Sequence, residues 1–333
     1  MSIKKGDRPM PNHLRRMIST LLLAAALPFC ACAQTYPDRP IKLVLPFPAG
    51  SATDGIARVI ADDLRKGLGQ PVVIENQAGA DGNIAAMNVR RAAPDGYTLF
   101  MSTNSAHGVN KSLYAALPYD PERDFEPVAG LIRIPLMLLV RKDFPANDVA
   151  AFVQQAKQRA ATKPLSFGTG NTSSQLAAAL LQSAAGLDIT VVPYRGTPQA
   201  LTDLVGGQID AMVVDPYSAM GFITNGQLKA LAVTDSARHA LLPDVPTMAQ
   251  AGYKDVQVVS WAALFAPAKT STAVIDRLQR EVASSLAKPE VKDAVQRMAM
   301  TTMVMSPEQL RAFVHAEIER WGRLAELAKI PKK

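Results

Sequence analysis

Residues 43–54 read LVLPFPAGSATD and hold three local signals that decide the fold. Residues 43–45 are apolar and β-prone, which predicts a short buried strand. Pro46, Pro48 and Gly50 exclude regular structure and predict a stiff turn. Ser51, with Asp54 three residues later, predicts a helix start. A strand, a small-residue loop and a helix start leave unpaired backbone N–H groups aimed at one point, which suits an anion.

The chain after this stretch alternates between predicted strands and helices. Residues 71–76 and 97–101 predict two further strands, which lead into a glycine-rich turn at 77–82 and a polar run at 102–105. This alternation predicts parallel β-structure with helices on its faces. Ligands of such sheets bind outside the carboxyl ends of the strands, so the three loops should converge.

A second unit repeats the layout of the first. A strand at 165–167, a polar loop at 168–174 and a helix at 175–185 predict a second anion-ready helix start. We expect the two sites to lie on two domains that face each other across a cleft. Residues 118–135 are proline-rich and are predicted to be mostly loop. The chain should cross between domains near 135–140 and 255–262, and two C-terminal amphipathic helices should pack on the first domain.

The first 33 residues have the pattern of a cleavable secretory signal peptide. A basic start is followed by an apolar run and by small residues at 31–33, so we expect cleavage before Gln34 and a periplasmic location. The pair Arg15 and Arg16 suits either the Sec or the twin-arginine route. Both cysteines, Cys30 and Cys32, lie in this leader, so the mature chain should use no disulfide.

Charge and histidine content limit the possible partners. Five basic residues and one acidic residue lie in the leader, so 31 basic and 28 acidic residues remain, a net charge of +3. There is no basic stripe of the kind that nucleic-acid binding needs. His107, His239 and His315 are far apart and lack metal-ligand spacing, so we expect no metal and no cofactor.

Several motifs in order and spacing resemble one family along nearly the whole mature chain. They are PFPAG (46–50), VIENQAGADG (73–82), PDGYTL (94–99), PYRGT (193–197), ALTDL (200–204) and LPDVPT (242–247). Together they resemble the Bug-type periplasmic solute-binding receptors of tripartite tricarboxylate transporters. Two departures occur: many members have a second glycine where this chain has Ser51, and relatives often have asparagine where Pro216 follows Asp215.

The resemblance implies a fold, a division into domains and a partner. The fold is an α/β, type II periplasmic binding protein, in which two mainly parallel sheets close on a ligand like a Venus flytrap. Residues 34–137 with 262–333 would form domain 1, and 138–261 domain 2. The protein would be a monomer that captures a small organic carboxylate (a di- or tricarboxylate, an amino acid or an aromatic acid) and delivers it to membrane transporter subunits.

Candidate ligand-binding residues come from the loops that end the strands. The resemblance implies contacts from the first loop and from its counterpart in the second domain, and the polar strand ends add others. The candidates are Phe47, Ala49, Gly50, Ser51, Thr53, Asn104, Ser105, Thr169, Gly170, Asn171, Thr172, Ser173, Tyr194 and Asp215.

Four of the polar positions have competing interpretations. Ser51 either donates to the ligand or only caps the helix, whereas Asp54 should support the helix because it would repel a carboxylate. Asp215 either accepts a ligand ammonium group or starts a turn. Arg195 is a weaker candidate for a carboxylate clamp.

Two aromatic side chains are interpreted as structural. Trp261 is predicted to be a packed hinge residue, although it could stack on a ligand. His107 is assigned to loop structure, because the sequence shows no carboxylate or nucleophile as its partner.

Two other functions are compatible with parts of the sequence. Gly168 and Gly170 imitate a dinucleotide-binding motif, but Ser173 replaces its third glycine. In addition, Asp188 lies before the next strand, whereas a ribose-binding acidic residue would lie at the end of that strand. We therefore expect no enzyme. A receptor that docks on a sensor kinase would need the same ligand-gated closure, so the sequence does not separate signalling from transport.

Overall fold

Residues 36–328, 330 and 332 are described by the computed structural model of the protein, and the predicted leader, residues 1–33, lies outside them. Pro37–Lys333 forms one compact unit that contains two β-sheets. In this described part, no helix is both long enough and apolar enough to cross a membrane.

The first sheet has six strands and surrounds the opening strand of the chain. Its order is β11-β4-β10-β3-β1-β2. The strands are β1 (Ile41–Leu45), β2 (Val72–Asn76), β3 (Thr98–Thr103), β4 (Phe125–Pro135), β10 (Val259–Pro267) and β11 (Thr301–Met305).

The second sheet has five strands that lie between β4 and β10 in the chain. Its order is β7-β6-β8-β5-β9. The strands are β5 (Met137–Arg141), β6 (Leu165–Thr169), β7 (Ile189–Pro193), β8 (Ala211–Val214) and β9 (Leu228–Val233).

Helices cover both sheets, and the two that matter most for the cleft begin where the sequence places a capping residue. Ser51 caps α1 and Asn171 caps α5, each by accepting a backbone N–H three residues on. The helices are α1 (Ala52–Leu68), α2 (Asn83–Arg90), α3 (Asn110–Leu113), α4 (Val149–Arg159), α5 (Thr172–Ala185), α6 (Thr197–Val205), α7 (Pro216–Thr224), α8 (Thr272–Ala287), α9 (Pro289–Arg297) and α10 (Pro307–Leu327).

The two-sheet α/β architecture is confirmed, but the sheets are mixed where mainly parallel sheets were predicted. Strand β1 is parallel to β2 and β3, and β6 is parallel to β7 and β8, whereas β10 and β5 are antiparallel to both of their neighbours. The cause is the connection between the sheets. Strand β4 leads through Leu136 directly into β5, and β10 brings the chain back in the opposite direction beside β4.

The prediction that residues 118–135 are mostly loop is wrong, because Phe125–Pro135 is strand β4. The prolines in this run do not prevent pairing. Pro127 pairs with Phe265 next to a register shift, and Pro135 is the last residue of the strand. Bulges and strand ends are the places where a strand tolerates proline.

Helix α10 packs on both halves of the molecule, whereas the sequence predicted contact with the first domain alone. Trp321 is buried in the same apolar cluster as Phe167 and Leu176 of the second sheet side. On the other side, Leu310 and Val314 lie in a cluster with β10. The helix therefore packs against both halves of the molecule.

One buried carboxylate fixes α10 to β10. The Glu317 Oε2 atom accepts the indole N–H of Trp261 at 2.8 Å and that of Trp321 at 2.7 Å. Its Oε1 atom accepts from Arg320 at 3.1 Å. Both indoles are buried, so each N–H needs this acceptor.

We expect Glu317→Ala to lower the free energy of unfolding by about 3 kcal/mol, since two buried indole N–H groups lose their acceptor. Chemical denaturation followed by circular dichroism measures this loss. Glu317→Gln is the matched control: it keeps one carbonyl oxygen at the position and should cost clearly less. Wild-type stability of the alanine variant would contradict the assignment.

Candidate functional site

The loops of the two sheets meet around a small cavity, called here the inner chamber, that contains about 400 Å³ of atom-free space, part of it open to solvent. Its walls come from the start of α1, the end of β3, the start of α5 and the connecting strands. Asp215 is the single charged side chain among the lining residues that the structure describes, and the other polar groups are hydroxyls and one amide.

The first wall of the inner chamber is the turn that follows β1. Phe47, Ser51, Ala52 and Thr53 line it. The Ser51 hydroxyl accepts the Asp54 N–H at 3.2 Å, so Ser51 both caps α1 and faces the chamber. The first helical turn leaves the N–H groups of Ala52 and Thr53 without an intrahelical acceptor.

The Asp54 carboxylate holds this turn in place and is not among the described residues that line the chamber. It accepts hydrogen bonds from the Gly50 N–H at 3.1 Å, from Asn76 Nδ2 at 3.1 Å and from Arg58 at 2.9 and 3.1 Å. Asn76 also donates to the carbonyl of Phe47 at 3.0 Å. Burial acts to raise the pKa of Asp54, but these hydrogen bonds outweigh it and hold the pKa below its ordinary value. The predicted supporting role is confirmed.

The second wall repeats this design at the start of α5. The Asn171 side chain accepts the Ser174 N–H at 2.9 Å, and the Ser174 hydroxyl accepts the N–H groups of Gly170 and Asn171. This capping box leaves the N–H groups of Thr172 and Ser173 free of intrahelical acceptors. Asn171 and Ser173 line the inner chamber.

The end of β3 supplies the third wall and joins it to the second. Asn104 Nδ2 donates to the Ser173 hydroxyl at 2.6 Å, and the Ser260 hydroxyl donates to Asn104 Oδ1 at 2.5 Å. Ser105, next to Asn104, lines the chamber, and its buried hydroxyl has no hydrogen-bond partner among the described residues. A buried hydroxyl without a protein partner is free to hydrogen-bond a ligand or a water molecule in the chamber.

Asp215 lies in the wall of the inner chamber. Its contacts fit both interpretations of this residue, as a helix-capping group and as a ligand acceptor. Its carboxylate accepts the Ser218 N–H at 2.8 Å and the Ser218 hydroxyl at 3.0 Å, so it caps α7. It also lines the inner chamber and is 7% exposed. Burial raises the pKa of Asp215, against the hydrogen bonds from Ser218.

A close contact brings the opening turn against the second sheet's loops. A Cβ atom at Gly196 would lie 2.6 Å from Pro48 Cγ, so no larger residue fits there without movement. A second cavity, called here the outer chamber, has about 740 Å³ of atom-free space, part of it open. Phe47 and Asn171 line both chambers.

The structure separates the predicted site residues into four groups. Phe47, Ser51, Thr53, Ser105, Asn171, Ser173 and Asp215 line the inner chamber. Gly170 and Tyr194 line the outer chamber. Asn104 is hydrogen-bonded to the inner-chamber residues Ser173 and Ser260. Ala49, Gly50, Thr169 and Thr172 are not among the residues that line either chamber.

Other lining residues were missed by sequence reasoning. Thr197 is the last residue of the PYRGT motif and begins α6, so its place at a third helix start was readable from the sequence. Ile134, Leu136 and Ser260 belong to the connecting strands or lie beside them, and only the topology brings them to the cleft. Trp261, next to Ser260, is buried and bonded to Glu317, which agrees with its assignment as a packed residue.

His107 is a core residue. It is fully buried, its Nδ1 atom lies 2.7 Å from the Ser102 hydroxyl, and its ring stacks on Phe265 with centroids 3.8 Å apart. Burial lowers the pKa of His107 to about 3, so the ring is neutral at ordinary pH. No group of three or more metal-ligating side chains occurs among residues 36–328, 330 and 332.

Comparison with known proteins agrees with this fold. Residues 56–329 match the model of the tripartite tricarboxylate transporter family receptor. BugT of Bordetella pertussis is 35% identical over 312 residues, which are 93% of this chain and 96% of BugT. The structure of the periplasmic binding protein BugD aligns with a TM-score of 0.85 at 34% identity, over 90% of this chain and 100% of BugD. The structure of Rpa4515 of R. palustris with adipate aligns with a TM-score of 0.86 at 33% identity, again over 90% and 100%.

The two-sheet fold with a polar cleft between its loops defines a solute-binding protein of the periplasmic class. Within that class, the chain belongs to the receptor family of the tripartite tricarboxylate transporters, as its motifs predicted.

We expect Asp54→Asn to be destabilising at neutral pH and nearly neutral in acid. The folded-state pKa of Asp54 lies below its unfolded value, so its contribution is fully present above the unfolded pKa and is lost as the pH falls through the folded one. Urea denaturation of both proteins between about pH 7 and pH 2 measures this difference. A stability gap that stays constant across this range would contradict the role given to the ionised carboxylate.

Proposed function

We propose that the inner chamber binds the carboxylate group of a small organic acid. The observation that carries this proposal is the meeting of two helix starts, α1 and α5, on one small cavity together with the unpartnered hydroxyl of Ser105. Helix N-termini favour negative charge because the free N–H groups and the positive end of the helix dipole both lie there. Ser51, Thr53 and Ser173 add hydroxyl donors around the same space.

The similarity to the adipate-bound protein supports the same chemical class of ligand. The chamber has no basic side chain among its described lining residues, so the anion would be held by neutral donors. Such donors do not select one particular acid. Amino acids and aromatic acids therefore stay within the proposal, and Asp215 would be the acceptor for an ammonium group.

We propose that ligand binding closes the two domains and that a membrane transporter recognises the closed form. We place the domain division at residues 34–137 with 262–333 and at 138–261, with the signal peptide at 1–33 directing a monomer to the periplasm. The ligand would favour the closed form only by as much as it binds that form more tightly. The hydrogen bond between Asn104 and Ser173 joins loops of the two sheets and would form on closure.

A catalytic function has little support from the residues. The family is a receptor family. The pair of Ser102 and His107 resembles a nucleophile with its base, but both side chains are fully buried among Phe100, Phe125 and Phe265. A substrate cannot reach that pair, so we propose a binding protein without an enzymatic reaction.

A thermal-shift screen of mono-, di- and tricarboxylates, amino acids, aromatic acids and sugars tests the proposal. We expect at least one organic carboxylate to raise the melting temperature of the mature protein, because a ligand that binds only the folded state stabilises it. A response to sugars or cations alone would overturn the proposal.

A pair of variants on α5 tests the location of the site. Ser173→Leu puts a bulky apolar side chain into the inner chamber and should abolish the shift produced by that carboxylate. Ser183→Leu makes the same change on the exposed side of the same helix and should leave the shift intact. An undiminished shift in a folded Ser173→Leu protein would remove α5 from the site.

A further inference from the structure

The outer chamber lies where a ligand anchored in the inner chamber would extend. Phe47 and Asn171 line both chambers, so the two spaces share a wall. Pro46, Phe47 and Pro193 make part of the outer wall apolar. An apolar wall after a polar anchoring site suits methylene groups or an aromatic ring.

Two of the polar side chains on the outer wall already have partners. The Tyr194 hydroxyl donates to Asp203 Oδ2 at 2.7 Å, and burial together with this carboxylate raises the pKa of Tyr194 to about 12. Asp81 Oδ2 accepts from the Tyr114 hydroxyl at 2.7 Å. These contacts hold each group against its own half of the molecule.

Arg195 differs from both of these residues. It lines the outer chamber and is exposed, and in the described part of the chain its guanidinium makes no ion pair and no side-chain hydrogen bond. A guanidinium is always charged, and its planar fork matches a carboxylate. The outer chamber therefore presents an unengaged cation together with apolar residues, while the inner chamber presents neutral donors.

We propose that Arg195 binds a second anionic group of the ligand and so determines specificity. The ligand class is a carboxylate that carries a second anionic group on an apolar spacer. One carboxylate occupies the inner chamber, the spacer passes Phe47, and the second carboxylate meets Arg195. This inference rests on the proposed carboxylate-binding function and adds the far end of the ligand to it.

Matched pairs of acids test the proposal by isothermal titration calorimetry. Linear dicarboxylates of four to eight carbons are compared with the monocarboxylates of the same carbon number, for example adipate with hexanoate. We expect the best diacid to bind at least about tenfold more tightly than its monoacid, the effect of one hydrogen-bonded charged group. Arg195→Gln should remove that preference and leave the affinity for the monoacid within about twofold of wild type.

Two further variants separate this role from a general effect of charge. Arg280 is exposed and, among the described residues, makes no ion pair, so Arg280→Gln removes the same charge without touching the chambers and should keep the preference. Asp81→Asn keeps an acceptor for Tyr114 and removes a negative charge from the outer wall. It should strengthen diacid binding and leave monoacid binding unchanged.

The outcomes separate this inference from the proposed function. If diacids and monoacids bind equally well, or if the diacid preference survives Arg195→Gln, the inference is wrong and the carboxylate receptor stands. If no acid of either kind binds, and none of the other carboxylates in the screen binds, the proposed function fails together with the inference.

Discussion

The free N–H groups at two helix starts are the constraint on which the cleft depends. Helices α1 and α5 each begin at a capping residue that follows a strand and a short loop, and each leaves donors in its first turn that the helix itself cannot satisfy. The fold brings both starts to one small cavity. Two sets of unsatisfied donors that face each other from different sheets need an acceptor between them. Under the proposed function, an organic anion fills this place and contacts both halves.

Supporting contacts keep those donors aimed at the cavity without using up their hydrogen-bonding capacity. Asp54 holds the first turn through Gly50, Asn76 and Arg58, all on its own side of the cleft. The Asn171 and Ser174 capping box does the same for α5. A buried carboxylate so close to an anion site is tolerable because its charge is already matched by Arg58.

Local sequence patterns predicted the parts of the site that are local in the chain. The strand, turn and helix start at residues 43–54 and their counterpart at 168–174 depend on proline, glycine and capping residues within a few positions, so the loops were found. The supporting role of Asp54 followed from charge alone. Ile134, Leu136 and Ser260 were missed because they reach the cleft through the strands that connect the sheets. The antiparallel pairing of β4 with β10 was missed for the same reason, since no local pattern records which way a distant strand runs.

The charge state of the bound acid tests the central claim most directly. A monocarboxylate that raises the melting temperature in the screen, with an isotope-labelled carboxyl carbon, would be followed by NMR in the complex while the pH is lowered. If helix N–H groups and hydroxyls hold the anion, the bound carboxylate's pKa falls below that of the free acid, because hydrogen bonds to the charged form favour it. A bound pKa above that of the free acid would mean that the neutral acid is the form bound, and would contradict the account.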